Sequence, residues 1–285
     1  MSRRTAVAAM VLAAAVAGVS TAAAAGAQSW RTAHVGRASA DSAPLAVSVR
    51  YAAGDFAVRA APSGWLYDAA VTYDAERVDP VYRYDAAART FAIAVDRGTM
   101  SWPGAREGSA EFRLALGAAA PLELDITTGA VAADVDLTGL RVRGLAFETR
   151  YSDATVHFDR PNVERMPNLR LAATGARLRA VRLANANAPR VSLRARGSQA
   201  ILDLTGQWTG DIALTLDALM TRIVVRVPSD VGIRYAVSGS FAGSPGGLVQ
   251  RDDAWVSEND GAARHHLVVT GTLSFGQVVI ERVSR

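Results

Sequence analysis

The densest group of side chains that could do chemistry is a set of four carboxylates, Glu123, Asp125, Asp134 and Asp136. The residues of each pair are two apart, so on a β-strand both side chains of a pair point to the same face. Such carboxylates could bind Ca²⁺ or act as the acid and base of glycoside hydrolysis. Solvation alone also places acidic residues at alternating positions of an exposed strand, and the short turns of this chain favour that interpretation.

A second candidate is the histidine pair His265 and His266, which directly precedes an apolar strand. Adjacent strand residues face opposite sides, so the two rings are poorly placed to chelate one metal ion. Four nearby carboxylates leave a loop metal site open as an alternative: Asp252, Asp253, Glu258 and Asp260. The simpler interpretation is a solvated loop over about residues 238–264, in which Trp255 anchors the loop to the body of the protein.

The composition narrows the function classes. The chain has no cysteine, which excludes disulfides, thiolate metal sites and a cysteine nucleophile, and it has no Gly-x-Ser-x-Gly motif of serine hydrolases. The formal net charge is +4 over 285 residues, and the basic residues alternate with acidic ones rather than forming a stripe. We therefore expect no cofactor, no enzymatic activity and no nucleic-acid partner.

The elements that carry these residues follow from a repeat. Each copy has two apolar residues spaced two apart, a small residue, and then a second apolar pair. The copies start 21 to 24 residues apart, at Leu122, Leu145, Leu169, Val191 and Ile212. A period of this length is typical of stacked repeat proteins, and the period-2 apolar pattern predicts two short strands in each copy. The sequence leaves open whether the stack is a closed sandwich or a single-chain β-helix.

Alternating positions in the second strand of each copy must point outward. One predicted outer row consists of Asp136, His157, Arg182, Asp203 and Arg226. Neighbouring strands lie about 4.8 Å apart, so opposite charges in such a row can pair and maintain register. The alternative is that the row is a charged strip that binds a partner, and these five residues are the predicted partner-binding surface.

The N-terminal part of the chain divides into three segments. Residues 1–27 have a positive start, an apolar stretch and a small-residue end, which predicts a signal peptide, with a retained membrane anchor as the alternative. Residues 28–44 are predicted to be a polar tether. Residues 45–118 are predicted to be an antiparallel β cap, beginning with a hairpin that turns at Gly54, and residues 119–285 are the β-repeat domain.

Several segments of the second half resemble the bacterial toast-rack β domain of LiaF-type proteins, which belong to the cell-wall-antibiotic response. The similar segments occur in order over about residues 110–285: Pro121–Leu124, Thr128–Gly129, Asp136–Leu140, Leu183–Asn187, Leu202–Trp208, Val227–Ile233 and Gly271–Ile280. The resemblance implies an all-β, stacked fold outside any known catalytic class. LiaF-type proteins have several membrane helices, whereas this chain is predicted to have a cleavable signal and no later transmembrane segment.

These observations predict an all-β, stacked β-repeat protein of the toast-rack type with an antiparallel N-terminal cap. The expected function is non-enzymatic binding or scaffolding, with a role in stress sensing, as a secreted or periplasmic protein of the bacterial envelope. The expected partner is another envelope protein, and self-association is a further possibility. The alternative function is a calcium-dependent β-helix that binds or cleaves glycans.

Overall fold

The computed structural model describes residues 29–95, 110–239 and 246–284. This part of the chain is almost entirely β-strand and contains no α-helix, only a short 3₁₀-helix at Leu183–Ala186. The predicted signal peptide lies outside the described residues. The strands are β1 Trp30–Ala38, β2 Leu45–Ala60, β3 Trp65–Asp74, β4 Val81–Asp85, β5 Thr90–Val95, β6 Glu111–Leu116, β7 Pro121–Asp136, β8 Arg141–Arg150, β9 Asp153–His157 and β10 Leu169–Thr174. They continue with β11 Arg177–Val181, β12 Arg190–Arg196, β13 Gln199–Asp203, β14 Ile212–Leu219, β15 Arg222–Pro228, β16 Gly232–Ser238, β17 Val249–Arg251, β18 Ala254–Val256, β19 His266–Ser274 and β20 Gln277–Val283.

The strands form two walls that meet at a corner. In the first wall, the N-terminal halves of β2 and β7 are followed by β8, β10, β12, β14 and β19, all parallel. In the second wall, the C-terminal halves of β2 and β7 are followed by β9, β11, β13, β15 and β20, again all parallel. Each turn of the chain therefore adds one strand to each wall. This arrangement confirms the predicted stacked β-repeat and is a wound, single-chain stack.

The core lies between the walls because alternating residues of every rung point inward. In β10 the inward residues are Leu169, Leu171 and Ala173, and the same positions recur as Val191, Leu193 and Ala195 in β12. The five predicted rungs are present, and the described part of the stack extends beyond them at both ends. β2 forms the rung before Leu122, and β19 with β20 forms the rung after Ile212.

The first of these extra rungs corrects the predicted hairpin. β2 does not reverse at Gly54 but continues from Leu45 to Ala60 as one bent strand. It pairs in parallel with β7 along both halves, from Leu45 opposite Leu122 to Val58 opposite Val135. The local sequence looks like a turn, yet pairing with β7 along both walls keeps the strand extended on each side of a bend.

The N-terminal region differs from the predicted cap in two further ways. Its strands are mixed rather than antiparallel, because β2 runs parallel to β5 and β6, whereas β3 is antiparallel to β6 and β4 is antiparallel to β5. The predicted tether contains a strand, since Trp30–Ala38 pairs antiparallel with β3. Here Val35 packs on the core and the Arg37 guanidinium lies 4.1 Å from the centre of the Tyr84 ring.

Connections between the walls close the third side of the stack. Asn185 is buried there, donates from its Nδ2 to the Phe158 carbonyl at 2.8 Å, and accepts from the Gln207 amide at 2.8 Å. Asn162 does the same one rung earlier, with hydrogen bonds to both the amide and the carbonyl of Val142. These side chains satisfy backbone groups that no strand partner reaches, so they tie successive rungs together.

Candidate binding surfaces

The predicted outer row lies on the second wall, and its first two members are neighbours. Asp136 and His157 are in register, and His157 Nδ1 lies 3.7 Å from an Asp136 carboxylate oxygen. His157 Nε2 lies 3.1 Å from Asp134, whose other oxygen forms an ion pair with Arg59. Burial works against ionisation of Asp136, but hydrogen bonds from Thr138 together with the charges of His157 and Arg59 outweigh it and lower the pKa of this carboxyl.

Arg182 does not belong to the row. The residue opposite His157 is Val181, and Arg182 follows the end of β11 in the left-handed backbone conformation, with φ 55°. The predicted pattern placed it one residue out of register because the chain leaves the strand at this point to form the 3₁₀-helix. The Arg182 side chain instead donates to the Asp159 carbonyl at 3.3 Å.

The last two members of the row are in register with each other and bind groups of the same chain. Asp203 lies opposite Arg226 and accepts from the Thr205 amide at 2.9 Å. Arg226 pairs with Glu281 on the following rung at 2.9 Å. Four members of the predicted set, Asp136, His157, Asp203 and Arg226, thus contact groups of the protein itself.

The four carboxylates of the proposed calcium site do not come together. Glu123 and Asp125 lie on the outer face of the first wall, whereas Asp134 and Asp136 lie on the outer face of the second. The strand that carries them bends between the walls at Gly129, where a Cβ would lie 2.2 Å from the Ala52 carbonyl oxygen. Among the described residues, no cluster of three His, Asp or Glu side chains is suited to a metal ion.

The histidine pair has structural contacts. His266 Nε2 lies 2.8 Å from the Asp260 carbonyl, and its amide donates to Asp211 at 2.8 Å. The His265 ring stacks near Trp208, with 6.4 Å between ring centres. Trp255 packs against the core, as the loop interpretation predicted. In the part of the chain that is described, the loop also contains the short strands β17 and β18.

An open concave surface lies on the outer face of the first wall. Two adjoining hollows, of about 440 and 490 Å³, share Asp125, Ala146 and Arg170. We call this surface the trough. Its floor consists of small side chains from successive strands, namely Ala46, Ser48, Ala92, Ala146, Ala172 and Ser192. Small residues at these positions let a bound chain approach the wall closely.

The charged groups over the first hollow are not paired. Glu123 and Asp125 lie on β7, Arg143 on β8 and Arg170 on β10, and all four side chains are exposed. Within the described residues, none of the four has an ion-pair or hydrogen-bonding partner. Asp125 and Arg170 share a row with Ala146 between them, so they lie two strands, about 10 Å, apart and do not pair directly.

Beside the second hollow of the trough, in contrast, the charged groups around Asp217 are paired. Asp217 accepts from Arg196 at 2.7 and 2.9 Å and from Arg194 at 3.2 Å. The hydrogen bonds and charge of Arg196 lower the pKa of Asp217. Sequence reasoning missed Arg143 and Arg170 as candidate site residues, because only the register of the strands shows which exposed charges lack a partner.

Comparison with known proteins places this architecture in a family. The model of the N-terminal domain of toast_rack, DUF2154, matches residues 26–168. The chain belongs to this toast-rack family. The match confirms the resemblance and extends it to the N-terminal region, because the similar segments began only near residue 110. No protein of curated function matches the chain significantly.

Solved structures similar to this toast-rack protein come from several bacteria. A candidate cell adhesion protein from Clostridium sporogenes aligns with a TM-score of 0.48 at 10% identity, covering 90% of this chain and 100% of its own. A candidate adhesin from Bacteroides fragilis aligns with a TM-score of 0.35 at 10% identity, covering 89% and 98%. A candidate lipid-binding protein from Parabacteroides distasonis aligns with a TM-score of 0.33 at 7% identity, covering 88% and 96%.

Within the described residues, no helix is long and apolar enough to span a bilayer.

Proposed function

We propose that this toast-rack protein is a non-enzymatic binding module of the bacterial envelope and that the trough holds a segment of another envelope protein. The observation that carries the proposal is the unpaired charge over the trough. Glu123, Asp125, Arg143 and Arg170 surround a concave surface and have no partner within the described chain. Charged groups left unpaired on a concave, small-residue floor are available to a ligand.

The arrangement favours an extended polypeptide with charges of both signs. The carboxylates of Glu123 and Asp125 lie on β7. Arg170 lies two strands away, with Ala146 between Asp125 and Arg170. A bound segment with a cation facing Asp125 and an anion facing Arg170 would form an ion pair with each of these two side chains. An extended strand rises about 3.3 Å per residue and its side chains alternate between two faces, so the two charges would be two or four residues apart, about 7 or 13 Å, if the segment crosses the strands.

The cellular location in this proposal rests on the first residues of the chain. A positive start, an apolar stretch and a small-residue end over residues 1–27 fit export through a signal peptide. An exported protein without cysteine is stable in either redox state, which suits the envelope. The expected partner is therefore an envelope protein rather than a cytoplasmic one.

The test is recovery of the partner from intact cells by cross-linking the tagged protein, followed by mass spectrometry. The variant Asp125→Arg with Arg170→Glu exchanges the charges of these two trough residues. The matched control is Arg179→Glu, which reverses an exposed arginine on the second wall. We expect the wild type and the control to recover the same envelope protein and the trough variant to lose it.

Two outcomes would contradict the proposal. The first is undiminished recovery of the same protein by the trough variant. The second is recovery of only the protein itself or of glycan, which would favour self-association or the glycan-binding alternative.

A further inference from the structure

A line of residues, three of them large, runs along the corner between the two walls. Five residues stack there, one per rung: Tyr151, Gly175, Gly197, Met220 and Phe275. The stacking is continuous, because the amides of Tyr151, Gly175, Gly197 and Met220 each donate to a carbonyl of the following rung at 2.8–2.9 Å. We call these five residues the corner ridge.

All five ridge residues have the left-handed backbone conformation, with φ between 49° and 60°. This conformation suits glycine, and it is unfavourable by roughly 1–2 kcal/mol for other residues. Two rungs of the ridge do have glycine, whereas three have Tyr151, Met220 and Phe275. Bulky residues retained in strained positions point to a role other than folding.

The three large side chains project into solvent. Tyr151 is 69% exposed, and Met220 and Phe275 are each 61% exposed. Rungs are about 4.8 Å apart, so Tyr151 and Phe275 lie about 19 Å from each other along the ridge. The Tyr151 ring covers the neighbouring Gly175, and the space around Gly197 is open. The ridge is convex and one residue wide.

The rows beside the ridge contain four arginines. The row on the first wall contains Arg150 and Arg196, and the row on the second wall contains Arg177 and Arg222 with a single acidic residue, Asp153. Arg150 and Arg196 are paired with carboxylates one row further from the ridge. Arg177 and Arg222 have no ion-pair partner among the described residues.

We infer that the corner ridge is a membrane-contact edge that inserts its apolar side chains into the interface of an anionic lipid bilayer. Tyr151, Met220 and Phe275 would enter the boundary between headgroups and acyl chains, where aromatic side chains are favoured. Arg177 and Arg222 would bind lipid phosphates on one side of the ridge. A ridge one residue wide cannot bury the roughly 800 Å² per partner of a stable protein interface, but it can enter between lipid headgroups.

The ridge is separate from the trough, so the two proposals fail independently. The inference is tested on purified protein by flotation with vesicles of phosphatidylcholine and with vesicles containing equal parts of phosphatidylcholine and phosphatidylglycerol. We expect binding only to the anionic vesicles, with an affinity that falls as salt is added.

The first variant replaces Tyr151 and Met220 by glycine, the residue that two other rungs of the ridge have. We expect vesicle affinity to fall by about tenfold or more, with no fall in melting temperature, because glycine relieves the strained backbone. The matched control is Val163→Ser, which removes a side chain that is 77% exposed away from the ridge.

The second variant, Arg177→Gln with Arg222→Gln, keeps the apolar residues. We expect it to lose about tenfold or more in affinity for anionic vesicles, because each arginine near such a surface contributes roughly a fivefold factor. Its control is Arg179→Gln on the same wall. The inference is overturned if the protein does not float with anionic vesicles, if it binds phosphatidylcholine equally well, or if both ridge variants bind like the wild type.

Discussion

The two walls of this protein are built from the same repeats but use their charged side chains differently. On the second wall, Arg226 pairs with Glu281, and Asp134 binds both Arg59 and His157. On the first wall, Asp125 and Arg170 share a row but have alanine between them and no partner. The difference indicates that these outer charges stabilise the stack on the second wall, whereas the charges around Asp125 and Arg170 on the first wall remain available for binding.

The register of the strands decides which outer charges of a repeat lie close to each other. The two walls have equally polar outer residues, so composition does not distinguish them. What distinguishes them is whether the opposite charge stands on the adjacent strand, at about 4.8 Å, or two strands away, at about 10 Å. The adjacent arrangement brings the two charges closer and favours a direct ion pair.

The largest expected effect comes from the third side of the stack, which supports both walls. Asn185→Ala removes the partners of the buried Phe158 carbonyl and of the Gln207 amide, and a buried group left without a hydrogen bond costs about 1–3 kcal/mol. We expect a loss of about 1–3 kcal/mol in the free energy of unfolding, measured by urea denaturation.

The control for this prediction is Asn168→Ala. Asn168 is exposed and accepts only from Arg190, so we expect a change within about 0.5 kcal/mol. An Asn185→Ala protein as stable as its control would show that the walls do not depend on these side-chain links.

The second prediction fills the trough without changing its charge. Ser192→Trp places a large ring on the floor of the second hollow, whereas Thr155→Trp places the same ring on the outer face of the second wall. We expect the first to lower partner recovery in the cross-linking assay by about tenfold, equivalent to about 1.4 kcal/mol, and the second to leave it unchanged. Equal recovery from both would remove the distinction between the walls.

The third prediction uses two carboxylates of one strand. Asp134→Ala should lower the free energy of unfolding by up to about 1 kcal/mol, because this exposed carboxylate binds Arg59 and His157. Asp125→Ala should leave it unchanged, since Asp125 has no partner. Thermal or urea unfolding of the two variants side by side measures the difference, and a larger loss for Asp125→Ala would reverse the comparison.

The smallest expected effect concerns the ion pair of Asp217 with Arg196 beside the second hollow of the trough. Arg196 lowers the pKa of Asp217. A carboxyl whose pKa is lower in the folded state stabilises the fold above its unfolded pKa, and this contribution is lost as pH falls through its folded pKa. Arg196→Gln should raise the pKa of Asp217 towards its ordinary value, which an NMR titration measures. An unchanged pKa would show that this pair is not formed in solution.

Much of the fold could be predicted from sequence. The apolar pairs starting at Leu122, Leu145 and Leu169 identified rungs that the structure confirms, because inward-facing residues must alternate. The rung formed by β2 was missed, since Ala53-Gly54-Asp55 has the residues of a tight turn. Strand β1 was missed as well, because an exposed edge strand needs few apolar residues once its backbone can pair with β3.

The candidate binding surface was much less predictable. Sequence reasoning placed Arg182 in the outer row by counting alternate residues, and the 3₁₀-helix after β11 broke that count. Arg170 had no distinguishing signal, because its lack of a partner depends on Ala146 occupying the adjacent strand. Pairing between strands is a property of register, and alternation along one strand does not determine it.

The most direct test of the central claim is site-specific photo-cross-linking in intact cells from one position on each wall. A photoreactive residue in place of Ser192 reports on the trough, and the same residue in place of Thr155 reports on the second wall. The account predicts a single prominent envelope-protein adduct from position 192 and none from position 155. The same adduct from both positions, or an adduct from position 155 alone, would contradict it.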